Sequence, residues 1–143
     1  MKLGYVYALL TSILWGLVYT LYQKLLDDVN PICILFVTSL ISTIMLLPFF
    51  LINDSPLVKI LDIDKRILSQ LFLASIIAAL ANVFLYLSIQ SLNATIASIL
   101  EITYPLFIIL FSFFMFKYVP NIYTLIGSIF IFIGVSIVIV KGS

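Results

Sequence analysis

Long apolar runs alternate with short polar connections along the whole chain. Five runs are free of charge apart from one acid in the fourth. Each run is as long as the ~20 residues that an α-helix needs to cross ~30 Å of hydrocarbon. Barrel strands are shorter and alternate in polarity, and open strands would leave backbone groups unsatisfied in lipid. The pattern therefore predicts transmembrane helices over residues 3–22, 31–52, 67–90, 93–116 and 119–140.

The connections between these runs are short, except for residues 53–66. Short connections make neighbouring helices antiparallel, and the longer one has room for a short interfacial stretch but no second domain. The first run lacks a small-residue cleavage site, so we expect it to be retained rather than removed as a signal peptide. The chain is accordingly expected to form one transmembrane domain over residues 1–143.

Composition agrees with an all-α integral membrane protein, since 64% of residues are hydrophobic and 9% are charged. A net charge of +1 provides no basic face for nucleic acid. The chain has no histidine and a single cysteine, Cys33, which excludes an intramolecular disulfide or a cysteine metal cluster. No HExxH, GxSxG or glycine-rich phosphate loop occurs. We therefore expect neither an enzyme nor a bound metal or cofactor.

The basic residues are unevenly distributed between the two sides of the membrane that the five predicted helices imply. Five of the seven fall on the amino-terminal side, and the positive-inside rule then places the amino terminus in the cytoplasm. The expected location is the cytoplasmic membrane, although insertion of some molecules in the opposite orientation stays open. The five are Lys2, Lys59, Lys65, Arg66 and Lys117, and the other two are Lys24 and Lys141.

Glu101 is the one acid inside an apolar run. An ionisable group at bilayer depth costs ~2.5–3.5 kcal/mol even on the mildest scales, so it is retained mainly where it functions or has a partner. Pro105 has no N–H to donate to the carbonyl of Glu101, which predicts a kink and a hinge there. The pattern suggests a site for a proton, a cation or a substrate ammonium. The alternative is a protonated carboxyl that donates one interhelical hydrogen bond.

Polar and small residues form one stripe on each of three predicted helices, at ~100° per residue. We interpret Asn82, Tyr86 and Gln90 as polar lining of a cleft, and Trp15 and Tyr19 as its aromatic contacts. Tyr104 would add a hydroxyl beside Glu101. Ordinary helix packing is the alternative, because small and hydroxyl residues let transmembrane helices approach closely. The stripes comprise Tyr5, Ser12, Gly16, Tyr19, Thr20 and Gln23 in the first helix, Ser75, Ala79, Asn82, Tyr86 and Gln90 in the third, and Ala94, Ala97, Ser98, Glu101, Tyr104, Pro105 and Ser112 in the fourth.

Gly127 and Gly134 lie seven residues apart and share a face of the last helix. Such a pair favours close helix contact, either within the chain or across a dimer interface.

Several short motifs resemble a known family. The Trp15-Gly16 pair, the run around Asn93-Ala94-Thr95 up to Pro105, and the glycines of the last helix are similar to an EamA-type domain of the drug/metabolite transporter superfamily. The resemblance covers essentially the whole chain. One departure follows the fourth helix, where many members have a Gly-Glu pair and this chain reads Phe116-Lys117.

Full-length members of that family contain two five-helix domains in opposite orientations, and this chain resembles one half. The resemblance implies a secondary transporter half that moves a small metabolite or drug-like molecule, coupled to protons or ions or acting as an exchanger. A second five-helix chain would complete it, as a homodimer or a paralogous heterodimer, because polar stripes must be covered from lipid. The alternative function is a non-transporting structural membrane subunit.

Overall fold

A computed structural model describes residues 2–52 and 64–141, which form six helices and no strand. Two of these helices together make up the fourth apolar run, so five helical spans are long and apolar enough to cross a membrane. The prediction of an all-α membrane protein with five transmembrane helices is confirmed. The helices are α1 (Lys2–Leu26), α2 (Pro31–Ile52), α3 (Lys65–Leu92), α4 (Ala94–Glu101), α5 (Tyr104–Phe116) and α6 (Ile122–Lys141).

Side-chain caps explain where four of the helices begin, the first two being α2 and α3. The Oδ1 atom of Asn30 accepts a hydrogen bond from Ile32 N at 2.8 Å, and Pro31 occupies the first helical position, where its missing N–H costs nothing. Asp64 Oδ1 accepts from Arg66 N at 3.1 Å in the same way. Asp64 is thus a helix cap, whereas residues 53–63, which contain the expected interfacial stretch, lie outside the described residues.

Two helix ends differ from the sequence-based boundaries. α1 continues to Leu26, so Gln23 is helical, and Lys24 lies in the last turn, where a cation is favoured by the helix dipole. α6 starts at Ile122 rather than at residue 119, because Asn121 Oδ1 accepts a hydrogen bond from Thr124 N at 2.9 Å and caps the helix there.

The start of α4 is fixed by two side chains. Asn93 Oδ1 accepts from Ile96 N at 2.9 Å, and the Gln23 Oε1 atom of α1 accepts from Ala94 N at 2.9 Å. Asn93 adopts φ 121° and ψ 165°, a region that is populated almost only by glycine and costs on the order of 1–3 kcal/mol. The two caps satisfy amide groups that would otherwise be unpaired in the membrane.

The fourth span is interrupted at Ile102 and Thr103, where a kinked but continuous helix was expected. Ile102 N still donates to Ser98 O at 3.1 Å, and both Thr103 N and Thr103 Oγ1 donate to Leu100 O, at 3.2 and 2.9 Å. Pro105 is the second residue of α5, a position where no intrahelical donor is needed. The helix therefore ends at Glu101 and restarts just before the proline.

The described residues group into two compact units, one built from the chain up to Gln23 and from Ser88 onward, the other from Lys24 to Leu87. In the first unit α4 packs against α6. Ala94 and Ala97 of α4 and Ser128 and Val135 of α6 are buried, and small side chains of this kind let helices approach closely.

The glycine face of α6 is open. A Cβ atom added at Gly127 or Gly134 would meet no atom within 4 Å. In the part of the chain that the structure describes, these glycines therefore make no close helix contact, and the contact across a dimer interface stays a proposal.

Two substitutions of Asn93 should distinguish the contribution of its cap to stability from the cost of its strained backbone. Asn93→Ala loses the cap and keeps a β-carbon in a region suited to glycine, so it should lower the free energy of unfolding by about 1–3 kcal/mol. Asn93→Gly loses the same cap but relieves the strain, and should cost much less. Thermal unfolding in nanodiscs measures both.

Asn121 provides the matched control, because it caps α6 without a positive φ. The difference between the alanine and glycine variants should be larger at Asn93 than at Asn121. Equal differences at the two positions would contradict the strained conformation of Asn93.

Candidate functional site

A cleft in the first unit contains Glu101 in its wall. Its volume of about 370 Å³ lies within the ~300–1,000 Å³ of small-molecule sites. A second cleft of about 380 Å³ shares five of its residues and extends along α1 to Gly16 and Thr20. The first cleft is lined by Thr11, Ser12, Trp15, Tyr19, Ser98, Glu101, Ile102 and Tyr104.

One hydrogen bond joins the first and fourth spans at this cleft. Tyr19 Oη donates to Glu101 Oε2. Glu101 is the last residue of α4, so its side chain stands at the interruption and Tyr19 of α1 reaches it there. The carboxyl group at membrane depth thus has a specific partner, as an ionisable group in lipid requires.

Aromatic rings form a large part of the cleft wall. The rings of Trp15 and Tyr19, one turn apart on α1, have centroids 5.7 Å apart with an interplanar angle of 40°. Tyr104, the first residue of α5, lines the same cleft and is 56% exposed. The faces of such rings carry negative electrostatic potential and attract cations.

The serine and threonine hydroxyls in the wall donate their protons to backbone carbonyls of their own helices. Thr11 Oγ1 donates to Tyr7 O at 2.9 Å, Ser12 Oγ to Ala8 O at 3.1 Å, and Ser98 Oγ to Thr95 O at 2.9 Å. Each oxygen keeps lone pairs that can still accept a hydrogen bond. No lining residue is basic, so the wall is rich in acceptors and carries one acid.

The structure brings together four of the seven predicted site residues, namely Glu101, Trp15, Tyr19 and Tyr104, and with them Ser12 and Ser98 of the predicted stripes. Of the three residues predicted from α3, Asn82 and Tyr86 belong to the second unit, and Gln90 belongs to the first but is not among the residues that line either cleft. Asn82 Nδ2 donates to Ala78 O of its own helix at 2.9 Å, and Tyr86 is buried, with 2% of its surface exposed. The lining roles of Asn82, Tyr86 and Gln90 stay predictions.

Sequence reasoning missed Thr11 and Ile102. Thr11 lies four residues before Trp15, so the aromatic face of α1 could have revealed it. Ile102 lies four residues after Ser98 on the same face of the fourth span, but as a large apolar residue it was not counted in a stripe of polar and small residues.

Comparison with known families settles which kind of protein carries this cleft. The model of the EamA-like transporter family matches residues 2–140. The chain belongs to this family. No curated protein and no solved structure matches the chain. Membership of the EamA-like transporter family confirms the resemblance drawn from the sequence motifs. Together with the five apolar spans, it identifies the chain as a multi-pass membrane protein of a transporter family rather than of an enzyme family.

Loss of the Tyr19 hydroxyl should weaken the connection between α1 and α4. In Tyr19→Phe the ring contact with Trp15 is kept and only the hydrogen bond to Glu101 is removed. Interhelical hydrogen bonds in membranes contribute ~0.5–2 kcal/mol, so the midpoint of thermal unfolding in nanodiscs should fall by a few degrees.

Tyr5→Phe is the matched control, since Tyr5 lies on the same helix, is 72% exposed and lines neither cleft. It should unfold like the unchanged protein. An unaltered midpoint in Tyr19→Phe would show that the hydrogen bond to Glu101 does not support the fold.

Proposed function

We propose that this EamA-like chain is half of a secondary transporter that moves a small metabolite or drug-like molecule across the cytoplasmic membrane. Transport would be coupled to protons or ions, or would proceed by exchange, without nucleotide hydrolysis. The observation that carries the proposal is the carboxyl group of Glu101 in the wall of a ligand-sized cleft within a membrane span.

In this proposal, Glu101 binds either a proton or a cationic partner, and the two compete for one carboxylate. Tyr19 and Tyr104 are the other titratable groups in the cleft wall, and no basic residue lines it. Competition for one group would link the movement of protons in one direction to the movement of substrate in the other. Trp15 and Tyr19 would hold the apolar part of the substrate.

The interruption beside Glu101 would act as the hinge of this cycle. A few residues between helices can absorb large changes in φ and ψ while the helices move as rigid bodies. Ile102 and Thr103 form a turn with right-handed backbone dihedrals, and Pro105 offers no N–H to the carbonyl of Glu101.

A second five-helix chain would complete the transporter, either another copy or a related chain. The open glycine face of α6 supports this, because a close helix contact is the usual reason for such a pair. A substrate site at the midplane between inverted repeats is the recurrent arrangement in secondary transporters. If the partner is a second copy, some molecules must insert in the opposite orientation.

Two measurements test the assembly. Native mass determination in nanodiscs should find at least two chains, and a monomer that still transports would contradict the proposal.

Cysteines at Ser55 and Ser143, with Cys33 replaced, should label from opposite faces, with Ser55 on the cytoplasmic side. Labelling of each site from both faces would instead show dual insertion and support a homodimer.

A structural subunit is the second candidate. The hydrogen bond from Tyr19 to Glu101 favours it, because a carboxyl group can persist in a membrane solely as the partner of another helix. Under this alternative, the polar groups would connect helices and the chain alone or with a partner would transport nothing.

Replacement of Glu101 decides between the two functions. The protein in proteoliposomes should transport members of a panel of amines, amino acids and nucleosides, faster with a proton gradient. Glu101→Gln keeps the shape and hydrogen bonding of the neutral acid but cannot ionise, so it should fold normally and lose the pH dependence of transport.

Asp27→Asn removes the same charge from the turn between α1 and α2, and should leave transport unchanged. An unchanged pH profile in Glu101→Gln would assign the coupling to another group. Absence of transport for the whole panel in the unchanged protein, together with normal folding, would favour the structural subunit.

A further inference from the structure

The charge and the hydrogen-bonding groups of the cleft around Glu101 bear on the class of substrate that it could bind. The inference rests on the proposed function for its transport step, but not for its binding step. We propose that the cleft binds a protonated organic amine, with the ammonium group on Glu101 and the apolar body against Trp15 and Tyr19.

The first argument is charge. Glu101 is the one acid among the eight lining residues, and none of them is Lys or Arg. An anionic ligand would meet a carboxylate without a compensating cation, in surroundings where charges are poorly screened. A cationic ligand meets the opposite charge and supplies it with a partner.

The second argument is the balance of hydrogen-bond donors and acceptors. The hydroxyl protons of Thr11, Ser12 and Ser98 are bonded to carbonyls of their own helices. The Tyr19 proton is bonded to Glu101. The oxygens of these side chains keep lone pairs with which to accept from a ligand, and the other donors of the wall are the Trp15 indole N–H and the Tyr104 hydroxyl. An ammonium group has N–H donors and no acceptor, which matches such a wall.

The third argument is the aromatic wall. Trp15 and Tyr19 lie with their ring centroids 5.7 Å apart, one turn apart on a single helix face. Rings of this kind attract a cation within about 6 Å and pack against hydrocarbon. The same wall therefore suits both the charged end and the apolar end of an amine.

The position of Trp15 provides a direct binding assay. Trp15 is the only tryptophan of the chain and lines both clefts, so its fluorescence reports on occupancy without a label. Three ligands with one apolar body separate the headgroups: cyclohexylmethylamine, cyclohexylmethanol and cyclohexanecarboxylate. None of them absorbs where tryptophan is excited.

The purified protein in nanodiscs should change its Trp15 fluorescence saturably with the amine, and bind the alcohol and the carboxylate at least about tenfold more weakly, as expected for a charge-assisted contact. Glu101→Gln should weaken amine binding by about tenfold or more, and Asp27→Asn should not. Glu101→Asp, which keeps the charge, should retain a preference for the amine over the alcohol.

Partition of the amine into lipid is controlled by moving the tryptophan. The double substitution Trp15→Phe and Tyr5→Trp keeps an aromatic ring in the cleft and places the fluorophore at an exposed position of α1 that lines neither cleft. Its fluorescence should not respond. An equal response there would show that the amine signal comes from the membrane and would overturn the proposal.

Equal affinity for amine and alcohol, or tighter binding of the carboxylate, would also overturn the proposal, even if Glu101→Gln failed to fold. The outcome for transport is separate. Binding of the amine without transport of any compound in proteoliposomes would leave the amine site standing and end the transporter proposal. Transport of other compounds by a protein that does not bind the amine would do the reverse.

Discussion

Satisfaction of backbone hydrogen bonds within the membrane is the constraint on which the fourth span depends. Lipid offers no partner to an exposed N–H or C=O group, so a helix can be interrupted there only where other groups take over. At Ile102 and Thr103 the turn bonds to Ser98 O and Leu100 O do this, and Pro105 has no N–H to satisfy. The interruption is thus local and leaves Glu101 at a helix end.

That location determines what the carboxyl group can contact. In a continuous helix, Glu101 and Tyr104 would be one turn apart on one face. Because α4 ends at Glu101 and α5 starts at Tyr104, the two residues belong to different helices, and Tyr19 of α1 supplies the hydrogen bond. In the proposed transport cycle, movement at the turn would alter the Tyr104 side of the cleft while α1 and α4 stay joined. This is the physical basis for proposing a hinge at the turn beside the acid.

Most of the fold follows from the sequence, because lipid imposes a length and a polarity on each span. The five runs predicted the five helical spans, and Asn30-Pro31 marked the start of α2. Periodicity also grouped Tyr19 and Glu101 as polar residues facing away from lipid. It could not give the bond between them, since the rotation of α1 relative to α4 depends on packing. Nor could it give the strained Asn93, whose conformation is sustained by the caps around it.

Lys117, at the other end of the fourth span, is a second residue whose conformation could not be predicted from the sequence. It adopts φ 56° and ψ 23°, a left-handed conformation that disfavours side chains with a β-carbon. The family pattern shows only that an acid is missing here, not what the lysine does. Its ammonium group lies 6.0 Å from the Phe113 ring, at the carboxyl end of α5, where a cation is favoured by the helix dipole. A positive charge at this end also favours the cytoplasmic side. Glu101 is the sole acid of the described spans, so within them it is the one carboxylate on which the proposed coupling can rest.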